Sequence, residues 1–109
     1  VGDATAKYYG AVVVMKLISE SKCNSSLKIT RDEYDLSRVR PEINKKIARF
    51  TTKDELRQMQ QFYTDTEAES RKDFLPMLNN ANPDRCRQFV SEFSEMYYKH
   101  KSNWQSLTR

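Results

Sequence analysis

Apolar residues in this chain recur at helical intervals, and polar punctuation divides them into four segments. The first runs from Ala4 to Ser21 with Asp3 as its expected N-cap. Its centre, AVVVMKLI, is apolar nearly all round. Three consecutive valines also suit a strand. Helix is the better reading, because the apolar-rich stretch continues from Tyr8 to Ile18 without a turn signal. A helix apolar on all sides is expected at the centre of the fold.

A polar loop, KCNSSLKI, covers residues 22–29. Thr30 and Glu33 then fit a capping box, with Ile29 and Tyr34 spaced as a hydrophobic staple. The second segment extends to Phe50 and is expected to break near residues 36–40. Pro41 has no N–H to donate and is tolerated in a first helical turn, so Ser37 is the expected cap of a fresh helix there. Leu36, Val39, Ile43, Ile47 and Phe50 form its apolar stripe.

Thr52 and Glu55 make a second capping box, which starts a helix at Lys53. Leu56, Met59, Phe62 and Tyr63 face inward. The polar run TDTEAESRKD either continues as exposed helix or bends, and Phe74, Leu75, Met77 and Leu78 return to the core around Pro76. After the loop NNANP, Asn82 as N-cap, Pro83 as first residue and Asp84 near the positive helix end open the last helix. Its predicted buried stripe is Cys86, Phe89, Val90, Phe93, Met96 and Tyr97, and the helix runs on through His100 toward Trp104 and then frays.

With no internal repeat and no linker, residues 1–109 read as a single all-α domain, a four-helix bundle that becomes five-segmented if the second segment breaks. Composition agrees. Two glycines are too few for the tight turns and bulges of a sheet protein, and twelve aromatic residues are too many for a disordered chain. No apolar run approaches the roughly 18 residues that suggest a membrane span.

Cys23 follows the first helix and Cys86 lies in the first turn of the last. If those helices pack antiparallel, the two sulfurs can meet. A bond would close a loop of about 64 residues, worth roughly 4 kcal/mol in the chain-entropy model. The alternative is two free thiols. Cys86 suits that as a small hydrophobe, and Cys23, in a polar loop, suits it less. A disulfide implies an oxidising compartment, periplasmic or secreted. The start at Val1 rather than Met implies that upstream residues were removed, either in the cell, as fits an exported chain, or by design of the expressed sequence.

No constellation for catalysis stands out, so an enzyme is the least supported class. His100 is the only histidine, with no nucleophile motif beside it. Two cysteines and one histidine fall short of a structural zinc site, and no cofactor or metal is expected. Asp65, Glu67 and Glu69 are two residues apart and do not share a helix face. Asn24-Ser25-Ser26 matches the N-glycosylation pattern, which matters only in a secreted eukaryotic chain.

Net charge is +4, with the basic side chains concentrated over residues 38–57. Three functional readings follow. The first is a small exported protein that binds another protein, as an inhibitor, immunity or accessory factor, through Arg40, Lys46, Arg49, Tyr98 and Trp104. The partner would present an acidic surface to the basic residues. The second is an intracellular module that uses segment 38–57 to bind nucleic acid or an acidic partner. Aromatic residues suited to base stacking are missing from that segment, which disfavours nucleic acid. The third is a bundle that holds an apolar ligand among Tyr8, Met15, Met59 and Phe93.

Overall fold

A computed structural model describes residues 1–109. The chain forms four α-helices: α1 (Gly2–Glu20), α2 (Leu36–Ile47), α3 (Lys53–Asn79) and α4 (Pro83–Leu107). Three short 3₁₀ turns, Asn24–Ser26, Arg31–Tyr34 and Ala48–Phe50, join them, and there are no strands. The bundle measures 45 × 25 × 20 Å. No helix is long and apolar enough to cross a membrane.

The apolar all-round pattern places α1 at the centre. Ten of its 19 residues are buried, and it packs chiefly against α4 and α3. Directions follow from the cross-links between helices. Trp104, late in α4, donates its indole N–H to Thr5 Oγ1 at the start of α1 (3.1 Å), while Cys86 bonds to Cys23 just past the end of α1. These two helices are therefore antiparallel. Arg71 pairs with Glu20 at 2.9 Å, and Lys22 N–H donates to Asn79 Oδ1 at 3.0 Å, which sets α3 parallel to α1. Helix α2 runs against both, joined by Arg40 Nε to Tyr9 Oη (2.9 Å) and by Tyr63 Oη to Asn44 Oδ1 (2.7 Å).

Two of the helix starts expected from the sequence are present. Thr52 Oγ1 accepts from Glu55 N–H, and Glu55 Oε1 accepts from Thr52 N–H, completing the capping box of α3. Asn82 Oδ1 accepts from Arg85 N–H at the start of α4. The polar run after Tyr63 continues as helix. Its side chains reach outward to other elements, Glu67 to Arg40 and Arg71 to Glu20.

Other expectations are corrected. Helix α1 begins at Gly2 rather than Ala4, because the Val1 carbonyl accepts from both the Thr5 N–H (2.9 Å) and the Thr5 hydroxyl (2.8 Å). Thr30 makes no side-chain cap: the Glu33 N–H donates to the Thr30 carbonyl in a 3₁₀ turn (3.0 Å), and the Glu33 carboxylate accepts from Lys101 Nζ at 3.4 Å instead of turning back to the Thr30 N–H. Asp35, not Ser37, caps α2 by accepting from Ser37 N–H, so Pro41 lies in its second turn. Phe50 leaves the apolar stripe. Helix α2 ends at Ile47, and Phe50 falls in the 3₁₀ turn that follows, past the buried face of the helix, where it is 44% exposed. Met96 is 50% exposed, because α4 is covered by α1 on one side only.

Four tyrosines are deeply placed, and burial raises all four hydroxyl pKa values. Tyr8 and Tyr63 are each pushed up to about 12, while Tyr9 and Tyr97 are raised as well. At Tyr9 the adjacent Arg40 opposes the effect of burial. The unfolded chain releases these protons near pH 10, and the folded chain holds them. Stability is therefore fully present below pH 10 and is lost as pH rises from 10 through 12. Thermal melts across this window should fall steeply, with tyrosinate absorbance growing as helicity is lost. Tyrosinate forming fully while helix content stays unchanged would contradict the burial.

Candidate functional site: a cleft beside the disulfide

The loop after α1 is held by three helices. Ser21 Oγ donates to the Ile18 carbonyl (2.8 Å) and accepts from Cys23 N–H (3.0 Å). Cys23 is buried and bonded to Cys86, with Cα atoms 5.0 Å apart, and its sulfur rests 3.4 Å from the Leu78 carbonyl oxygen. The disulfide thus ties the loop to α4 while Asn79 ties it to α3. Beyond it, Asn24–Ser26 makes one 3₁₀ turn, and Ile29 inserts into the core.

This anchoring leaves an open cleft of ≈ 660 Å³ between the loop and one face of α4. The α4 side carries Arg87, Val90, Ser91, Ser94 and Tyr98, which recur at three- and four-residue intervals. The loop side carries Ser25, Ser26, Lys28 and Ile29. Ile29 and Val90 form an apolar floor, four serines supply hydroxyls, and Lys28 and Arg87 supply positive charge. No carboxylate lines the cleft. Arg87 pairs within α4 with Asp84, and both side chains are well exposed, so the pair is weak. Lys28 has no acidic partner within salt-bridge distance.

Tyr98 stands at one end of the cleft, 52% exposed. It is not loose. Its ring meets Tyr97 edge-on with centroids 5.2 Å apart, and Tyr97 is fully buried with its hydroxyl directed at the Glu33 carbonyl (3.4 Å). A half-exposed tyrosine fixed on a buried one presents apolar area and a hydroxyl at little entropic cost, which is what interface anchors supply.

The other sequence candidates are scattered. Trp104 is fully buried, donating to Thr5 and stacking on Tyr8 at 4.6 Å, which corrects the expectation of an exposed anchor. Arg40 is turned inward. Its Nε donates to Tyr9, its Nη2 pairs with Glu67, and its guanidinium lies 5.8 Å from the centre of the Tyr63 ring. It braces α2 against α1 and α3. Lys46 is exposed, with its ammonium 5.4 Å from the Trp104 ring centre. Arg49 is exposed and lies 4.7 Å over the Phe50 ring. Lys46 and Arg49 thus belong to the α2–α3 corner, with Lys45 and Lys53.

The four proposed ligand-cavity residues do not converge. Tyr8 and Met15 are fully buried, Phe93 packs on Phe74 and Phe89, and Met59 lines a separate groove beside Val1 and Ile47. No three His, Cys, Asp or Glu side chains gather as a metal site. Lys28, Arg87 and the four serines were missed by sequence reasoning. The polar spacing 87, 91, 94, 98 is visible on α4, but the loop that faces it is assigned only by the disulfide.

No family model, curated protein or solved structure matches this chain.

Proposed function

We propose that this is a small exported protein that acts by binding another protein, as an inhibitor, immunity or accessory factor, with the Tyr98 cleft as its contact surface. The observation that carries the reading is the fixed, half-exposed Tyr98 at the end of a cleft whose only charged residues are Lys28 and Arg87. A partner would lay apolar surface against Tyr98 and place a carboxylate between the two cations. Export is supported by the disulfide, since such bonds persist in oxidising compartments. The anchored loop also suits a surface that binds without reordering.

The test places a photo-crosslinking phenylalanine analogue at position 98, and at Lys72 on α3 as control, in the cells the chain comes from. One protein captured at position 98 and absent at position 72 is the expected result. Capture should drop at least ten-fold when Lys28→Glu and Arg87→Glu are combined. Equal labelling at both positions, or none at position 98, would remove the cleft from the interface. The alternative reading, an acidic partner or nucleic acid on the basic segment, is favoured by Lys45, Lys46, Arg49 and Lys53, all exposed with no carboxylate in salt-bridge range. Capture that survives the cleft variant but is lost with Lys46→Glu and Arg49→Glu, and that weakens steeply with salt, would move the site there.

A further inference from the structure

Gly10 has no structural reason to be glycine. It lies in the interior of α1, where glycine is less favourable than alanine. Its backbone is ordinary helix, and a Cβ added to it would meet nothing within 4 Å. What the missing side chain does provide is depth. Gly10 lies with Lys7, Ala11 and Val14 on one face of α1, roughly opposite the Tyr9 face that α2 covers, counting about 3.6 residues per turn. That face forms the floor of a groove of ≈ 240 Å³ between α3 and α4.

The groove is apolar at one end and cationic at the other. Phe74 of α3 and Phe93 of α4 meet edge to face at 5.7 Å and close the apolar end. Met96, half exposed, forms the rim, and methionine suits surfaces that accommodate a partner. Lys7 and His100 stand at the far end, where the groove opens onto a shelf shared with Lys99. Neither groove nor shelf has a carboxylate in its lining. Asp3 pairs with Lys7 at 3.2 Å, but both side chains are exposed and hold each other weakly. Glu92 and Glu95 share an adjoining depression with Met96 and Lys99, so these α4 carboxylates lie along the Met96 rim, where they offset Lys99, and not at the Lys7 and His100 end.

We infer that this groove receives one bulky apolar side chain from a partner protein, with an acidic residue beside it directed at Lys7, Lys99 and His100. The inference rests on the reading that the chain binds another protein, and it adds a second contact surface distinct from the Tyr98 cleft. The volume fits a single large side chain better than a drug-sized ligand, whose pockets run from about 300 Å³ upward. A large side chain laid into an apolar groove with charge at its edge is how interface anchors are usually held.

Random peptides displayed on phage would be selected on the disulfide-bonded protein and counter-selected on Gly10→Leu, which fills the groove where space is open. Met96→Glu, at an exposed position, gives a second variant that leaves the core intact. Recovered peptides should carry Trp, Phe or Leu within a turn of Asp or Glu. They should weaken at least ten-fold on Gly10→Leu, Met96→Glu and Lys99→Glu. Peptides indifferent to Gly10→Leu and Met96→Glu, or groove-dependent peptides without an acid, would overturn the inference. So would self-association abolished by Gly10→Leu, which would make a second copy the occupant. Binding of decanoate that depends on Gly10, with no groove-dependent peptide, would overturn it in favour of a lipid-like anion. A partner captured at position 98 with no groove-dependent peptide sinks the groove alone; failure of both sinks the protein-binding reading too.

Discussion

Replacing Cys23 and Cys86 together with serine should lower unfolding free energy by about 4 kcal/mol, because the bond closes a loop with a sequence separation of 63. For a domain of this size that is a drop in melting temperature of roughly 20 °C, and a large share of the ~5–15 kcal/mol that holds a typical domain together. The bond also closes one end of the α1–α4 contact and carries the loop that faces Tyr98. Its loss should therefore loosen the cleft before the bundle melts. Denaturant unfolding with and without reductant measures the first effect, and amide exchange at Ser25, Ser26 and Lys28 measures the second. A stability change under 1 kcal/mol would show that the unfolded chain gains little freedom from reduction, and the loop-closure account would fail.

Trp104→Ala should be comparably severe, at about 3–5 kcal/mol, the usual cost of removing a large buried aromatic. The indole is fully buried, stacks on Tyr8 and donates to Thr5. It closes the other end of the α1–α4 contact, where α4 would otherwise fray. Trp104→Phe keeps most of the apolar area and loses the N–H donor, so it should recover more than half of the loss. Trp104 is the sole tryptophan, which allows a direct check. Native emission should be blue-shifted and should move red on unfolding. Native emission already at the solvent-exposed position, or an alanine variant within 1 kcal/mol of the parent, would be incompatible with this packing.

Trp104 also marks where sequence reading stopped. Seen alone, it sits near the chain end, beyond the well-defined apolar stripe of α4, and a solvent-facing anchor was a natural reading. Counting on from Tyr97 by seven residues, two helical turns, returns to the same face. The side chain is therefore on the stripe if the helix persists that far, and α4 does persist to Leu107. Phe50 failed in the opposite sense. It continued a clean helical stripe, but α2 ends at Ile47, and Phe50 lies in the turn beyond it, exposed. Arg40 looked like a free cation, because nothing local showed that Tyr9 and Glu67, 31 and 27 residues away, would meet it.

Three features could be read from residue order alone. The helices follow from periodicity, the starts of α3 and α4 from Thr52, Glu55 and Asn82, and the central place of α1 from its lack of a polar face. All three depend on neighbours within a few residues or on composition around one helix. Tertiary structure decided the rest. It joined Cys23 to Cys86, turned Arg40 inward, set Lys28 opposite Arg87, and left Gly10 at the bottom of a groove between α3 and α4. These are contacts between residues far apart in the chain. Local propensity cannot encode them, because they arise only when packing of the whole apolar surface sets the direction and spacing of the helices.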